Sequence, residues 1–593
     1  MVSIVDSWLG AGARIAATWT RMQQALESPR CRHFWRLLAI VVCGLHAWLT
    51  RHYMNPDGVS YLDLADAWRN GPWSQAVNGH WSPLYSWLIA GTLGLLRPAP
   101  RYEFAAVHGL NFAIFLLALT AFEWLLHEAV LCQRQQRRAA GGTTGFLPEW
   151  ALTGLAYCFF IWITLRLIKV SLVTPDMCVA LAVYLAAALL LRLHRQGPRP
   201  LASALLGLVL ALGYLAKGVM FPLAFVFLTA AALAAGSLRQ ALRALLPAAL
   251  VFTVVAGSFV AVLSASKGRL TFSDSGKLNY LWWVEKVPGD HFLGDNSGRR
   301  PLNTPRVLLV TPPVFEFARA GMGTYPLHFD PSYWYEGVPV RVSLTKQFSA
   351  IRTALLEYVN VLGLYVMPCT LAMLVLYAVA RSKRRVRLAE FFSGFWGLLT
   401  RQYPLLLPAL ACLGVYGAVG IVEERYVGPF LPLLFLALLL DLQAAPARME
   451  SLRRWSAAVL LSLAVTIGAD LVQDGRKCVA DVLGIQPVAQ ADFVVVCHLQ
   501  QRGVGPEAAV GFIGNSFAAN WARMGRYHIV ADIPPAAAAT FWESTPSVQA
   551  EAVACFRQAG VRAIVAENAP PDACQWTRIP GTTYSLLLPN GAY

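Results

Sequence analysis

The sequence is poor in charge. Asp, Glu, Lys and Arg make up 14% of its 593 residues and hydrophobic residues make up 56%, and the mean hydropathy is +0.49. So few charges exclude a soluble multidomain protein of this length, and the chain has room for roughly ten or more membrane spans. The composition predicts a polytopic α-helical membrane protein.

The sequence also lacks a basic region separate from its apolar runs. Its net charge is +16, yet residues 474–593 contain eight Lys/Arg against nine Asp/Glu. The basic excess therefore lies in the membrane portion, where it indicates topology rather than a nucleic-acid partner.

Several sequence motifs are missing. Residues 1–34 contain no short apolar core with a small-residue cleavage site, so we predict an amphipathic helix on the cytoplasmic surface rather than a removed signal peptide. No CxxC or Cys/His spacing predicts a metal site. The run Gly511–Asn515 follows a predicted strand but lacks the third glycine and the acidic partner of a dinucleotide fingerprint. We expect no cofactor and no metal.

Topology follows from the apolar runs and the basic loops. Pro83–Leu96 is too short to span and is predicted to lie at the interface, because every strongly basic short loop then falls in the cytoplasm. This gives about eleven spans, at residues 35–50, 104–131, 149–168, 176–193, 201–216, 219–236, 244–264, 353–380, 403–421, 427–442 and 455–472.

The predicted domains follow from this topology. A membrane module covers residues 35–472 and carries two long outer loops, 51–103 and 265–350. Residues 473–593 form an extracytoplasmic α/β domain. Its predicted strands are Phe493–Val496, Ala509–Ile513, His528–Val530, Ala563–Ala566 and Tyr584–Leu588, and its predicted helices lie around Val488–Gln501, Phe517–Met524 and Val548–Ala559. If this domain is extracytoplasmic, its cysteines can form disulfides with three possible connectivities, among Cys478, Cys497, Cys555 and Cys574.

Carboxylates lie on the predicted outer face. Asp57 sits between Pro56 and Gly58, a turn that can hold a carboxylate at the start of a surface helix, on which Asp63 and Asp66 are predicted to face water. A partly desolvated carboxylate can act as a general base toward a hydroxyl. Asp176 opens the fourth span, where it either caps the helix or faces Asp57 across a cavity.

Two cations share that face. Lys217 interrupts an apolar stretch of more than thirty residues, and Arg425 with Tyr426 lies between two later spans. Lys217 could mark the membrane boundary, but together with Arg425 it could also bracket one lipid-linked phosphate.

The outer loop 265–350 is rich in aromatic residues interleaved with polar ones. This mixture is typical of a carbohydrate site, although an interfacial aromatic belt would look similar. The loop supplies Lys277, Asn279, Tyr280, Trp282, Tyr333 and Trp334 as candidate substrate-binding residues.

The membrane portion resembles the GT-C superfamily of membrane glycosyltransferases, in particular the bacterial branch that includes the aminoarabinose and protein-mannosyl transferases. The matching positions are ordered along residues 35–440 and lie on the outer face: Asp57, Tyr61, His80, Pro83, Leu84, Tyr85, Asp176, Leu212, Gly213, Leu215, Lys217, Gly218, Arg425, Tyr426 and Pro429. A departure is Gly58, since many relatives carry a paired acidic motif there.

The resemblance implies a chemistry. Asp57 would be the catalytic base, assisted by Asp176, and Lys217, Arg425 and Tyr426 would hold the phosphate of a polyprenyl-phosphate sugar. Tyr61, Asp63, His80 and Tyr85 would join the loop residues in binding substrate. The expected function is inverting transfer of one sugar to a hydroxyl of a lipid, glycan or protein, at the periplasmic face of a bacterial inner membrane. A lipid or sugar-lipid transporter and a ligase that uses a pyrophosphate-linked glycan remain alternatives.

Overall fold

The computed structural model describes residues 27–141, 145–317, 323–381 and 388–589. Most of the predicted amphipathic segment 1–34 lies outside the described residues. The membrane portion is helical, and each of the eleven predicted apolar runs overlaps a helix. These helices are Pro29–Leu49, Glu103–Ala139, Glu149–Ile163, Asp176–Gln196, Pro200–Ala216, Met220–Leu233, Leu238–Lys267, Leu344–Asn360, Met367–Ala380, Leu388–Val419, Leu431–Asp441 and Met449–Val482.

The helices differ in how well they suit a membrane. Within the described ranges, six are long and apolar enough to cross, a bent pair would make a seventh, and four apolar helices have 10–17 residues. Arginines and histidines lower the hydropathy of Pro29–Leu49, which is not among them. The count of eleven spans therefore stays a prediction.

One predicted span is broken. Residues 353–380 were predicted as one run, but the chain bends by 85° between Leu344–Tyr365 and Met367–Ala380. A π-helical turn covers Val361–Tyr365, and Pro368 stands in the first turn of the second helix. Proline cannot donate the backbone hydrogen bond that a continuous helix needs there.

Short helices occupy the outer connections. Pro56–Asn70 and Pro83–Leu96 pack against each other in the first outer loop, and the predicted helix at Pro83–Leu96 is confirmed. The four-residue helix Trp73–Ala76 lies between them. Further helices of four or five residues follow in the later connections, at Ser275–Asn279, Pro326–Phe329, Pro331–Trp334 and Glu424–Val427.

The C-terminal part has the predicted α/β character. In the described chain, its sheet has seven strands in the order Arg306–Val310, Pro313–Glu316, His528–Ile533, Ala509–Ile513, Ala563–Glu567, Tyr584–Leu587 and Thr577–Arg578. The middle three are parallel and the outer pairs antiparallel. Since the first two strands belong to outer loop 265–350, this loop and the C-terminal domain form one sheet.

One predicted strand of this domain is part of a helix in the structure. Phe493–Val496 was predicted as a strand, but it lies within the helix Ala491–Gln501, where Val495 and Val496 face the core. The other predicted strands are confirmed. The remaining helices are Asn520–Gly525, Pro535–Glu543 and Pro546–Gln558.

A buried ion cluster joins the C-terminal domain to the membrane module. Arg523 is 3% exposed and contacts Asp63 at 2.9 Å, Asp66 at 2.6 Å and Glu103 at 2.7 Å. Arg526 adds bonds to Asp66 and Glu103. The prediction that Asp63 faces water is therefore wrong, because its helix lies beneath the domain rather than in open solvent.

The cysteines of the C-terminal domain are free. Cys478, Cys497, Cys555 and Cys574 form no disulfide in the structure as described. Cys478 instead packs against the first helix, where its thiol lies 3.7 Å from the carbonyl oxygen of Leu45.

Candidate active site

A cavity of about 360 Å³ opens where one set of helix ends meets the C-terminal domain. It brings together residues from six separate parts of the sequence. Its polar lining includes Asp57, His80, Asp176, Lys217, Asn279, His328, Glu423 and Arg425, and its aromatic lining includes Tyr61, Trp81, Phe272, Trp282, Trp283, Tyr416, Tyr426 and Phe517.

Asp57 lies in the first turn of the helix Pro56–Asn70. The preceding Asn55 accepts a hydrogen bond of 2.8 Å from the backbone N–H of Val173. This bond ties the first outer loop to the turn that leads into Asp176. Two carboxylates that are 119 residues apart in sequence therefore line the same cavity.

Gly58 makes this close approach possible. A Cβ atom at position 58 would lie 2.8 Å from Cβ of Val173 and 2.4 Å from the sulfur of Met54. Both distances are too short for a real side chain. An acidic side chain at position 58 would not fit this backbone.

Asp57 is paired with Arg425. Its Oδ2 lies 2.6 Å from Nη1 of Arg425, whose Nε contacts Glu423 at 2.6 Å. Burial favours the neutral acid, but the positive charge of Arg425, with that of His328 at acidic pH where its imidazole is protonated, outweighs burial and lowers the pKa of Asp57. The carboxylate is charged at neutral pH and a weak base in this state.

Asp176 is paired with Lys217. The ammonium of Lys217 donates to Oδ1 of Asp176 at 2.6 Å, and the carboxylate is 1% exposed. Its Oδ2 is buried with no partner among the described residues. Asp176 also stands in the first turn of its helix, where the helix dipole favours a negative charge. Asp176 does not cap the helix, because Pro175 is the N-cap residue and no side-chain cap hydrogen bond forms, but it lines the same cavity as Asp57.

Tyr426 lies between the two cations. Nζ of Lys217 is 3.6 Å from the centre of its ring, and the guanidinium carbon of Arg425 is 5.1 Å from it. The structure therefore brings Lys217 and Arg425 to one aromatic ring.

The predicted substrate-binding residues divide into two groups. Tyr61, His80, Asn279 and Trp282 line the cavity. Tyr85 lies just behind it, with its ring 5.1 Å from Tyr61 and its hydroxyl donating to Asn111 at 2.6 Å.

The second group lies outside the cavity because the outer loop has a core of its own. Asp63 belongs to the ion cluster, and Lys277 donates to the carbonyl of Tyr335 at 3.5 Å. The indole of Trp334 donates to the carbonyl of Pro326 at 2.9 Å, and Tyr333 packs on it at 5.2 Å. The hydroxyl of Tyr280 is also buried.

The cavity residues that were missed from sequence include His328 and Phe517. His328 places Nε2 3.8 Å from Oδ1 of Asp57, and Phe517 packs on His328 with ring centres 4.9 Å apart. Neither belongs to a local motif, although Phe517 follows the Gly511–Asn515 run that was considered only for cofactor binding. Burial lowers the pKa of both His328 and His80 to about 4, so both are neutral at neutral pH.

Asp532 fixes the turn that carries Phe517. Its buried carboxylate accepts hydrogen bonds from Ser516 at 2.9 Å and Tyr325 at 3.0 Å, and it pairs with His291 at 2.9 Å. Burial lowers the pKa of His291, but the adjacent carboxylates have the larger effect and raise this pKa to about 9. One carboxylate thus holds the outer loop and the C-terminal domain together at the cavity wall.

The fold of the chain is similar to that of a solved structure, ArnT. The crystal structure of apo ArnT from Cupriavidus metallidurans superposes with a TM-score of 0.50 at 13% identity, covering 94% of this chain and 98% of that one. The same ArnT bound to undecaprenyl phosphate gives a TM-score of 0.49 at 10% identity with the same coverage.

The oligosaccharyltransferase of Archaeoglobus fulgidus gives a TM-score of 0.43 at 12% identity and covers 90% of this chain and 67% of that chain. No family model matches the sequence, and no curated protein matches it significantly. At 13% identity the likeness to apo ArnT shows the fold alone.

Proposed function

We propose that the protein is a glycosyltransferase that moves one sugar from a polyprenyl-phosphate donor to an acceptor hydroxyl. The observation that carries this proposal is the placement of Asp57, Lys217 and Arg425 on one outer cavity. A carboxylate beside two cations offers a base for the nucleophile and a binding site for the phosphate leaving group. The shared fold with ArnT supports the same function.

The proposed step is a direct displacement. Asp57 takes the proton of the acceptor hydroxyl while the hydroxyl oxygen bonds to the anomeric carbon. The bond between that carbon and the phosphate oxygen breaks, and the phosphate leaves with the electron pair. Attack opposite the leaving group inverts the anomeric configuration.

The donor phosphate would bind at Tyr426, between Lys217 and Arg425. Both cations are already paired with carboxylates, at 2.6 Å each. A phosphate must therefore share Arg425 with Asp57. When Arg425 also pairs with the phosphate, its ion pair with Asp57 weakens and the pKa of Asp57 rises. Asp57 is therefore a stronger base when the donor is bound.

The remaining cavity residues suit a sugar. Trp282 and Phe517 offer aromatic faces for its C–H surface, and Asn279 offers an amide for its hydroxyls. The neutral imidazoles of His80 and His328 can each donate and accept a hydrogen bond. Nδ1 of His80 is buried with no partner among the described residues.

We propose that the reaction takes place at the periplasmic face of a bacterial inner membrane, because the positive-inside rule predicts the outer side for this cavity. We also expect transfer without a divalent metal. Among the described residues, no three His, Cys, Asp or Glu side chains are grouped as metal ligands. Full activity after treatment with a chelator is the expected result, and loss that Mg²⁺ or Zn²⁺ restores would contradict it.

The test is an incubation of the purified protein with sugars labelled on polyprenyl monophosphate and on polyprenyl diphosphate, with hydroxyl acceptors. The proposal predicts release of polyprenyl monophosphate from the first donor. Release of polyprenyl diphosphate would identify a glycan ligase. Movement of an intact sugar-lipid across vesicles would identify a transporter.

A further inference from the structure

A second large cleft lies at the opposite ends of the helices from the candidate active site. It has a volume of about 970 Å³. It is formed by the N-terminal ends of Pro29–Leu49, Glu149–Ile163 and Met449–Val482 and by the C-terminal end of Glu103–Ala139. Basic loops assign this side of the protein to the cytoplasmic leaflet.

The cleft has an excess of positive charge. Its lining contains five arginines, Arg32, Arg36, Arg134, Arg137 and Arg453, but two glutamates, Glu27 and Glu149. Two of the arginines are neutralised, since Arg36 pairs with Glu123 at 2.6 Å and Arg134 pairs with Glu149 at 2.8 Å.

The other three arginines keep their charge available. Among the described residues, no carboxylate oxygen lies within 4.0 Å of Arg32, Arg137 or Arg453. Arg137 donates to the carbonyl of Leu147 at 2.5 Å, and its Nε is buried with no partner in the described chain. A buried donor without a partner is costly unless a ligand or water completes it.

The surface beside the cleft suits acyl chains. Phe34, Leu37 and Val41 are 55%, 61% and 39% exposed on the helix that carries Arg32 and Arg36. Their spacing of three and four residues forms one apolar stripe leading away from the arginines. Trp455 is 51% exposed two residues after Arg453, as expected of an aromatic side chain at a membrane interface.

We propose that this cleft binds the phosphate headgroup of an anionic phospholipid from the leaflet on the basic side. Basic pockets between membrane helices recognise such headgroups, and the adjoining apolar stripe would hold an acyl chain. Residues 1–26 contain two arginines and one aspartate, so their net charge is positive. A segment of this charge does not complement the positively charged cleft. The proposal does not depend on the proposed enzymatic function.

The test uses the full chain in a neutral detergent, titrated with phosphatidylglycerol, phosphatidylcholine or inorganic phosphate. Lipid retention is measured by native mass spectrometry and stability by thermal unfolding. Phosphatidylglycerol should bind and raise the melting temperature, whereas phosphatidylcholine and free phosphate should not.

Matched variants locate the site. In R32Q/R453Q the affinity for phosphatidylglycerol should fall about thirtyfold, because each basic residue near an anionic lipid contributes a factor of about five. Both residues are exposed, so the variant should fold. The control R199Q/R243Q removes two exposed arginines on the same side, outside the cleft, and should retain binding.

Equal losses in both variants would show general charge attraction and overturn the proposal. Unchanged binding in R32Q/R453Q would overturn it as well. Stabilisation by inorganic phosphate equal to that by phosphatidylglycerol would show a free-anion site in place of a lipid site.

Discussion

Replacing Asp57 by asparagine should strengthen the binding of polyprenyl phosphate. The Asp57 carboxylate lies 2.6 Å from Nη1 of Arg425, the guanidinium that we assign to the donor phosphate. A phosphate at that guanidinium is repelled by the carboxylate and must compete with it. Asparagine has nearly the same shape but no charge, so the competition disappears.

The size of the effect follows from Coulomb's law. Two unit charges about 4 Å apart repel by about 1 kcal/mol in water and by about 4 kcal/mol at an effective dielectric constant of about 20. Asp57 is 23% exposed and Glu423 still pairs with Arg425, which favours the lower part of this range. We expect about 1.4 kcal/mol, or about a tenfold lower Kd.

The assay is a titration of the purified wild type and D57N with a water-soluble polyprenyl phosphate. The matched control is Glu424→Gln, since Glu424 adjoins Arg425 in sequence but pairs with Lys169 at 2.7 Å and lies outside the cavity. It should bind like the wild type. Equal or weaker binding by folded D57N would refute the competition between Asp57 and the phosphate.

Three further predictions concern Lys217, Phe517 and His291. Lys217→Met should cost about 3–5 kcal/mol of stability because it leaves the buried Asp176 unpaired. Adding Asp176→Asn should restore the melting temperature but not the binding of polyprenyl phosphate. Restored binding in this double variant would contradict the role of Lys217. Phe517→Ala should lower kcat/KM up to about tenfold through lost ring contacts, with the melting temperature retained, and unchanged kinetics would remove Phe517 from the site. His291, whose pKa is raised to about 9, stabilises the fold fully below about pH 6.5 and loses that contribution as pH rises through about 9. The melting temperature should therefore fall between pH 7 and pH 10 by more in the wild type than in His291→Gln, and equal slopes would contradict this.

Local sequence patterns predicted much of the membrane portion. Apolar runs determine helices directly, and the basic loops assign their ends to one side of the membrane. Asp57, Asp176, Lys217 and Arg425 each stand at or near the end of a helix. The predicted topology put these four residues on one face, and the structure brings them to one cavity.

Long-range packing was beyond the reach of those patterns. The strand Pro313–Glu316 pairs with His528–Ile533, more than two hundred residues later, and no local periodicity encodes that partner. Phe517 follows a strand of this shared sheet, and side chains of the first outer loop, Ser60 and Trp81, donate hydrogen bonds to the backbone of His328. Asp63 was misjudged for the same reason, because Arg523 buries it from the C-terminal domain.

The rate of sugar transfer under single-turnover conditions tests the central claim most directly. Wild type, Asp57→Asn and Glu424→Gln would each be mixed with a labelled polyprenyl-phosphate sugar and an acceptor. The account predicts transfer by the wild type and by Glu424→Gln and none by D57N, although D57N binds polyprenyl phosphate. Transfer by D57N at the wild-type rate would contradict the role of Asp57, and no transfer by the wild type with any such donor would contradict the proposed function.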